Sequence, residues 1–134
     1  MKQGIQTDFP HEELRKYGCY FFCLVKWASK IMDKDFTEGE IIALFDAAME
    51  AELVRKNALV FNPSQVLNLI IGKNIFRSTS IVKQPPNRNI YIIYLQKPGY
   101  GHFVLFDRGE IYDPLDPERP GAARYVPVSY REIF

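Results

Sequence analysis

Three side chains in this sequence combine into a constellation capable of nucleophilic chemistry: Cys19, His102 and Asp113. A thiol becomes a useful nucleophile when its pKa falls, and a helix N-terminus with a neighbouring imidazole brings that about. Cys19 follows Gly18 at the expected start of an apolar helix. His102 would act as the base, and Asp113 would orient the imidazole and stabilise its charged form. The backbone N–H of Cys19 would contribute to an oxyanion hole.

The elements that must position these groups follow from local pattern. Gly99 to Pro114 reads as a β-hairpin whose first strand starts with His102 and whose turn is Arg108-Gly109. In that register Asp107 faces Glu110, Phe106 faces Ile111, Leu105 faces Tyr112 and Val104 faces Asp113. His102 and Asp113 are then diagonal neighbours on one face, while Asp107, Glu110 and Asp116 fall on the other. The glycines around Tyr100 would let a substrate backbone approach His102 closely.

Earlier in the chain, residues 1 to 17 read as an extended lead-in with a turn at Asp8-Phe9-Pro10 and a helical turn over Glu12 to Lys16. Cys19 to Met32 is apolar nearly all round, as a helix buried in mid-domain would be. Thr37 and Glu40 form a capping box for a second helix. Asn62 and Pro63 open a third, which Gly72 ends. Strands are expected at Ile75 to Val82, at Ile90 to Leu95 as a central strand, and at Arg124 to Val128. Helices first and sheet second make a single α+β domain spanning residues 1–134.

Composition excludes several classes. Seventeen basic against sixteen acidic residues leave a net charge of +1, so nothing advertises a polyanionic partner. The helix at Pro63 to Gly72 carries no Lys or Arg, which argues against a winged-helix reading and hence against nucleic acid. No apolar run reaches the roughly 18 residues needed for a membrane span. The polar first ten residues lack a signal-peptide core, so a cytoplasmic address is the default expectation. Cys19 and Cys23 lie four apart on one helix, where a bridge would constrain little, and both read as free thiols. Cys23 reads as a core residue, His11 as solvated beside Glu12 and Glu13, and Asp113 before Pro114 equally as a turn initiator. A zinc site from Cys19, Cys23 and His102 would lack a fourth ligand.

Gly18-Cys19 opening an apolar helix, Gly101-His102-Phe103-Val104 on a strand and Tyr112-Asp113-Pro114 after a turn resemble the papain-like cysteine peptidase superfamily. The likeness is nearest to the double-glycine leader peptidase-like branch and to related small spirochaete and phage proteins. It implies a papain-like fold, with a central Cys-bearing helix packed on a C-terminal antiparallel sheet. It also implies a Cys19, His102, Asp113 triad that cleaves a peptide or amide bond through a thioester, without metal or organic cofactor.

In that branch an upstream glutamine completes the oxyanion hole, and Gln6-Thr7-Asp8 matches the pattern; Glu13 stands nearer the position papain itself uses. Tyr20 replaces the glycine usual after the nucleophile. Tyr17, Tyr20 and Tyr100 would wall the cleft. The implied partner is a peptide or protein substrate. The alternative is a catalytically inactive module of the same fold that binds a peptide or protein partner.

Overall fold

The computed structural model describes residues Met1–Phe134, with four α-helices followed by a five-stranded antiparallel sheet. The helices are α1 (Glu12–Tyr17), α2 (Cys19–Met32), α3 (Glu38–Glu50) and α4 (Pro63–Ile71). The strands are β1 (Thr79–Val82), β2 (Ile90–Lys97), β3 (Tyr100–Asp107), β4 (Glu110–Tyr112) and β5 (Val126–Ile133). Their order across the sheet is β1-β5-β2-β3-β4, which puts the continuously apolar β2 at the centre.

Local chemistry sets the helix ends. Thr37 and Glu40 form the reciprocal capping box on α3. Asn62 caps α4, Pro63 occupies its first turn, and Gly72 ends it in the left-handed conformation. Gly18 joins α1 to α2 so tightly that a Cβ there would stand 2.4 Å from the Leu14 carbonyl oxygen.

The core forms where α2 packs on β3 and α4. Phe21, Phe22, Leu24 and Val25 of α2 are fully buried with Ile92 and Leu105 of the sheet. A smaller cluster of Tyr91, Ile93 and Val104 occupies the opposite sheet face, where Tyr91 stacks on Phe106.

Helix α2 and strand β3 run side by side. Cys23 Sγ donates to the Phe103 carbonyl at 3.5 Å, and Lys30 Nζ lies 3.5 Å from Asp107 Oδ2. From Cys19 to Lys30 the helix rises about 16 Å, and His102 to Asp107 spans about the same. The two elements therefore stay in step from Cys19 to the far end of the hairpin.

Several boundaries differ from the sequence reading. Strand β1 begins at Thr79 rather than Ile75, because Asn68 of α4 takes the backbone of Ile75 and Phe76 through three hydrogen bonds of 2.8–3.2 Å. Strand β3 begins two residues before His102, because Pro98-Gly99 is itself a tight turn that returns the chain from β2. The last strand starts at Val126, after a 3-10 turn at Ala122–Arg124, and runs to Ile133 to pair with both β1 and β2. Residues 1 to 10 form successive turns rather than an extended segment. They are pinned where Gly4 N donates to Asp113 O at 3.1 Å and Gln6 N to Pro114 O at 2.9 Å. No helix is long and apolar enough to cross a membrane.

Candidate active site

The hairpin has the register its turn residues dictate. Arg108 and Gly109 both adopt positive φ, at 49° and 87°, as a two-residue turn that matches strand twist requires. Asp107 pairs with Glu110, Phe106 with Ile111 and Leu105 with Tyr112. One residue further on, Asp113 reaches diagonally to His102.

There Nε2–H of His102 donates to Asp113 Oδ1 at 2.6 Å, with the imidazole only 1% exposed. That bond leaves Nδ1 as the nitrogen free to meet a thiol. Cys19, half-buried at the start of α2, lies beside the same imidazole. The structure thus brings Cys19, His102 and Asp113 together.

Charge in this cluster follows from the contacts. Burial disfavours the imidazolium, but the hydrogen bond to Asp113 and the proximity of Cys19 outweigh it, so His102 titrates above its ordinary 6.5. Burial likewise opposes ionisation of Asp113, and His102 together with Arg119 overcomes it, holding the carboxyl below its ordinary 3.8. Cys23, one turn inside α2, is fully enclosed, and burial pushes its thiol well up. No side chain caps the start of α2, where the first backbone N–H groups of a helix lack intrahelical acceptors.

Asp113 fills both roles open to it. Oδ1 also accepts from Leu115 N at 2.9 Å, the turn-initiating bond of an Asp-Pro segment, while Oδ2 takes Arg119 Nη1 at 3.0 Å. Gln3 Oε1 accepts from the Asp113 backbone N–H. Asp107, by contrast, lies on the other face with Lys30 and Arg108.

Gln6 is buried between the two halves of the site. Its backbone is tied to Pro114, and its Nε2 donates to the Arg15 carbonyl at 3.1 Å, just before the Gly18-Cys19 junction. Its Oε1 has no partner. Glu13 lies on α1 at a different depression, with Tyr17, Arg55 and Lys56.

A groove of about 470 Å³ opens beside Cys19, walled by Tyr17 and Tyr20 and floored in part by Phe103. Tyr20 is folded inward, its ring 4.3 Å from that of Phe103, so its bulk builds the groove rather than blocking it. Tyr100 lies outside this groove. It lines an open depression at the β2–β3 turn, with Lys97 and Arg124.

Besides Tyr100, two further sequence expectations need correction. Gly101 does not clear space for a substrate: the Tyr94 ring occupies that space, and a Cβ would meet its hydroxyl at 2.4 Å. His11 is not a solvated residue. It caps α1 through Nδ1, accepting from Leu14 N at 3.4 Å, and packs edge-on against Phe45.

Pattern reading missed Arg119 on Asp113, Gln3 on its backbone, Tyr125 with its ring 5.8 Å from the imidazole, and Arg131 in the groove. Only Arg119 left a trace in the sequence, as a base six residues beyond Asp113 in a loop stiffened by Pro114, Pro117 and Pro120.

The chain matches no curated protein and no solved structure. A family model described as "Protein of unknown function, DUF261" matches residues 1–133, and the chain belongs to that family.

Proposed function

We propose that this protein is a papain-like cysteine hydrolase acting on peptide or amide carbonyls. The observation that carries the reading is the His102 imidazole, buried and clamped through Nε2 by Asp113, with Cys19 as its other polar neighbour. A core histidine needs one partner. This one has two, of the kinds that a nucleophile and an orienting group supply.

The steps follow from those roles. His102 takes the Cys19 proton, and the thiolate attacks the carbonyl carbon to form a tetrahedral oxyanion. Donors for that oxyanion are the Cys19 backbone N–H and the Gln6 side-chain amide, whose Nε2 keeps a second N–H after serving Arg15. The imidazolium returns its proton to the leaving amine as the C–N bond breaks, giving a Cys19 thioester. Water then adds, with His102 as base, and the thiolate leaves to release the acid. Asp113 keeps the imidazole in the required tautomer throughout.

An activated ester, p-nitrophenyl acetate, tests the reading without knowledge of the natural substrate. The expected result is a burst of nitrophenolate followed by steady turnover, with an acetyl group mapped to Cys19, and loss of both in His102→Ala. Acetylation elsewhere, or equal in the variant, would overturn the assignment. A stable acetyl-Cys19 with no turnover would instead favour the inactive binding module.

A further inference from the structure

The groove beside Cys19 is apolar along most of its wall, yet Arg131 of β5 projects into it. It is the groove's only charged side chain. No Asp or Glu pairs with Arg131. Its guanidinium lies 5.2 Å from the centres of the Tyr94 and Phe103 rings, Nη1 donates to the Ser129 hydroxyl, and its other polar neighbour is the uncharged Tyr20 hydroxyl. A half-buried guanidinium held against aromatic rings without a counter-ion is costly, and a ligand anion relieves that cost.

A second group points the same way. Thr79 Oγ1 is buried without a hydrogen-bond partner and lines the same groove. Strand pairing sets Ile81 opposite Arg131, so Thr79, two residues from Ile81, lies on the same sheet face as a diagonal neighbour of the arginine. A planar fork of N–H donors and an unused hydroxyl thus share one end of an apolar slot that has the nucleophile in its wall.

We propose that Arg131 and Thr79 form a carboxylate-recognising end of this groove, so that the substrate is a peptide with an apolar stretch and a carboxylate near the scissile bond. This rests on the hydrolase reading for the meaning of the scissile bond, but the carboxylate site itself does not depend on catalysis. A side-chain carboxylate and a peptide C-terminus offer the same chemistry to the pair.

Three blocked dipeptides distinguish these sources in the Cys19→Ala protein, where no acyl transfer can occur: acetyl-Leu-Glu-amide, acetyl-Leu-Gln with a free C-terminus, and acetyl-Leu-Gln-amide. Calorimetric titration is expected to show one or both anionic peptides binding about tenfold or more tighter than the neutral one. The tighter of the two identifies the carboxylate source. Arg131→Gln should bring the three to parity, and Thr79→Val should reduce the preference while leaving the aromatic packing around Arg131 intact. Equal binding of all three by the Cys19→Ala protein, or an anionic preference that survives in both variants, would overturn the proposal. Neither result bears on acetylation of Cys19, so the hydrolase reading stands or falls separately.

Discussion

At the scale of single residues, the site depends on which carboxylate serves His102. Asp107 is nearer in sequence along the strand, but five residues of strand invert the face, and its carboxylate lies with Lys30 instead. Asp113 arrives on the return side of the hairpin with the right parity and bonds the imidazole at 2.6 Å. Asp113→Asn keeps an oxygen for the Leu115 turn bond and removes the charge. It should lower turnover of p-nitrophenyl acetate on the order of 100-fold, whereas Asp107→Asn should leave it within about twofold. Steady-state rates of the two variants, each checked for a native melt, decide the matter. The reverse pattern would require another orienting group. This pairing was legible in the sequence because Arg108-Gly109 specifies a two-residue turn, and parity then follows. Arg119 was legible only as a nearby base, since its approach to Asp113 depends on how a proline-rich loop folds back.

At the scale of elements, the decisive joint is Gly18 between α1 and α2. With 2.4 Å from its Cβ position to Leu14 O, Gly18→Ala must push the two helices apart, at a cost of about 1–3 kcal/mol. Because α2 starts at this joint, the same change should slow acylation of Cys19 even in molecules that remain folded. Phe22→Ala, by contrast, should cost about 3–5 kcal/mol through the cavity it leaves. Cys19→Ala, at the groove wall, should melt close to wild type. Thermal melts of the three variants check this order, and a Cys19→Ala melt as low as that of Phe22→Ala would mark Cys19 as a core residue. Helix starts were the most legible elements, because Thr37, Asn62 and Gly18 act through their nearest neighbours. Strand ends were less so: Ile75 and Phe76 look like strand, but their backbone is taken by Asn68, eight or fewer residues earlier on α4.

At the scale of the whole molecule, the helical layer and the sheet are joined where the ionisable cluster sits, so the stability of the fold depends on pH through that cluster. His102 titrates above 6.5 when folded, so it contributes stability that is complete below 6.5 and fades as pH rises through the folded value. Asp113 titrates below 3.8, so its contribution is complete above 3.8 and fades as pH falls through its folded value. The melting difference between wild type and His102→Gln should therefore be largest between these limits, near pH 5 to 6, and shrink in alkaline buffer. A difference that grows with pH would contradict the charged pair. The same ionic cluster makes Cys19 and Cys23 unequal despite lying one turn apart, the first beside an imidazole and the second enclosed with its thiol pushed up. The most direct measurement is alkylation of the native protein with iodoacetamide near pH 6, with both cysteines mapped by mass spectrometry in wild type and in His102→Ala. The expected result is modification at Cys19, with Cys23 untouched, at a rate that falls about tenfold or more in the variant. Equal labelling of the two cysteines, or a Cys19 rate indifferent to His102, would contradict a Cys19–His102 nucleophile.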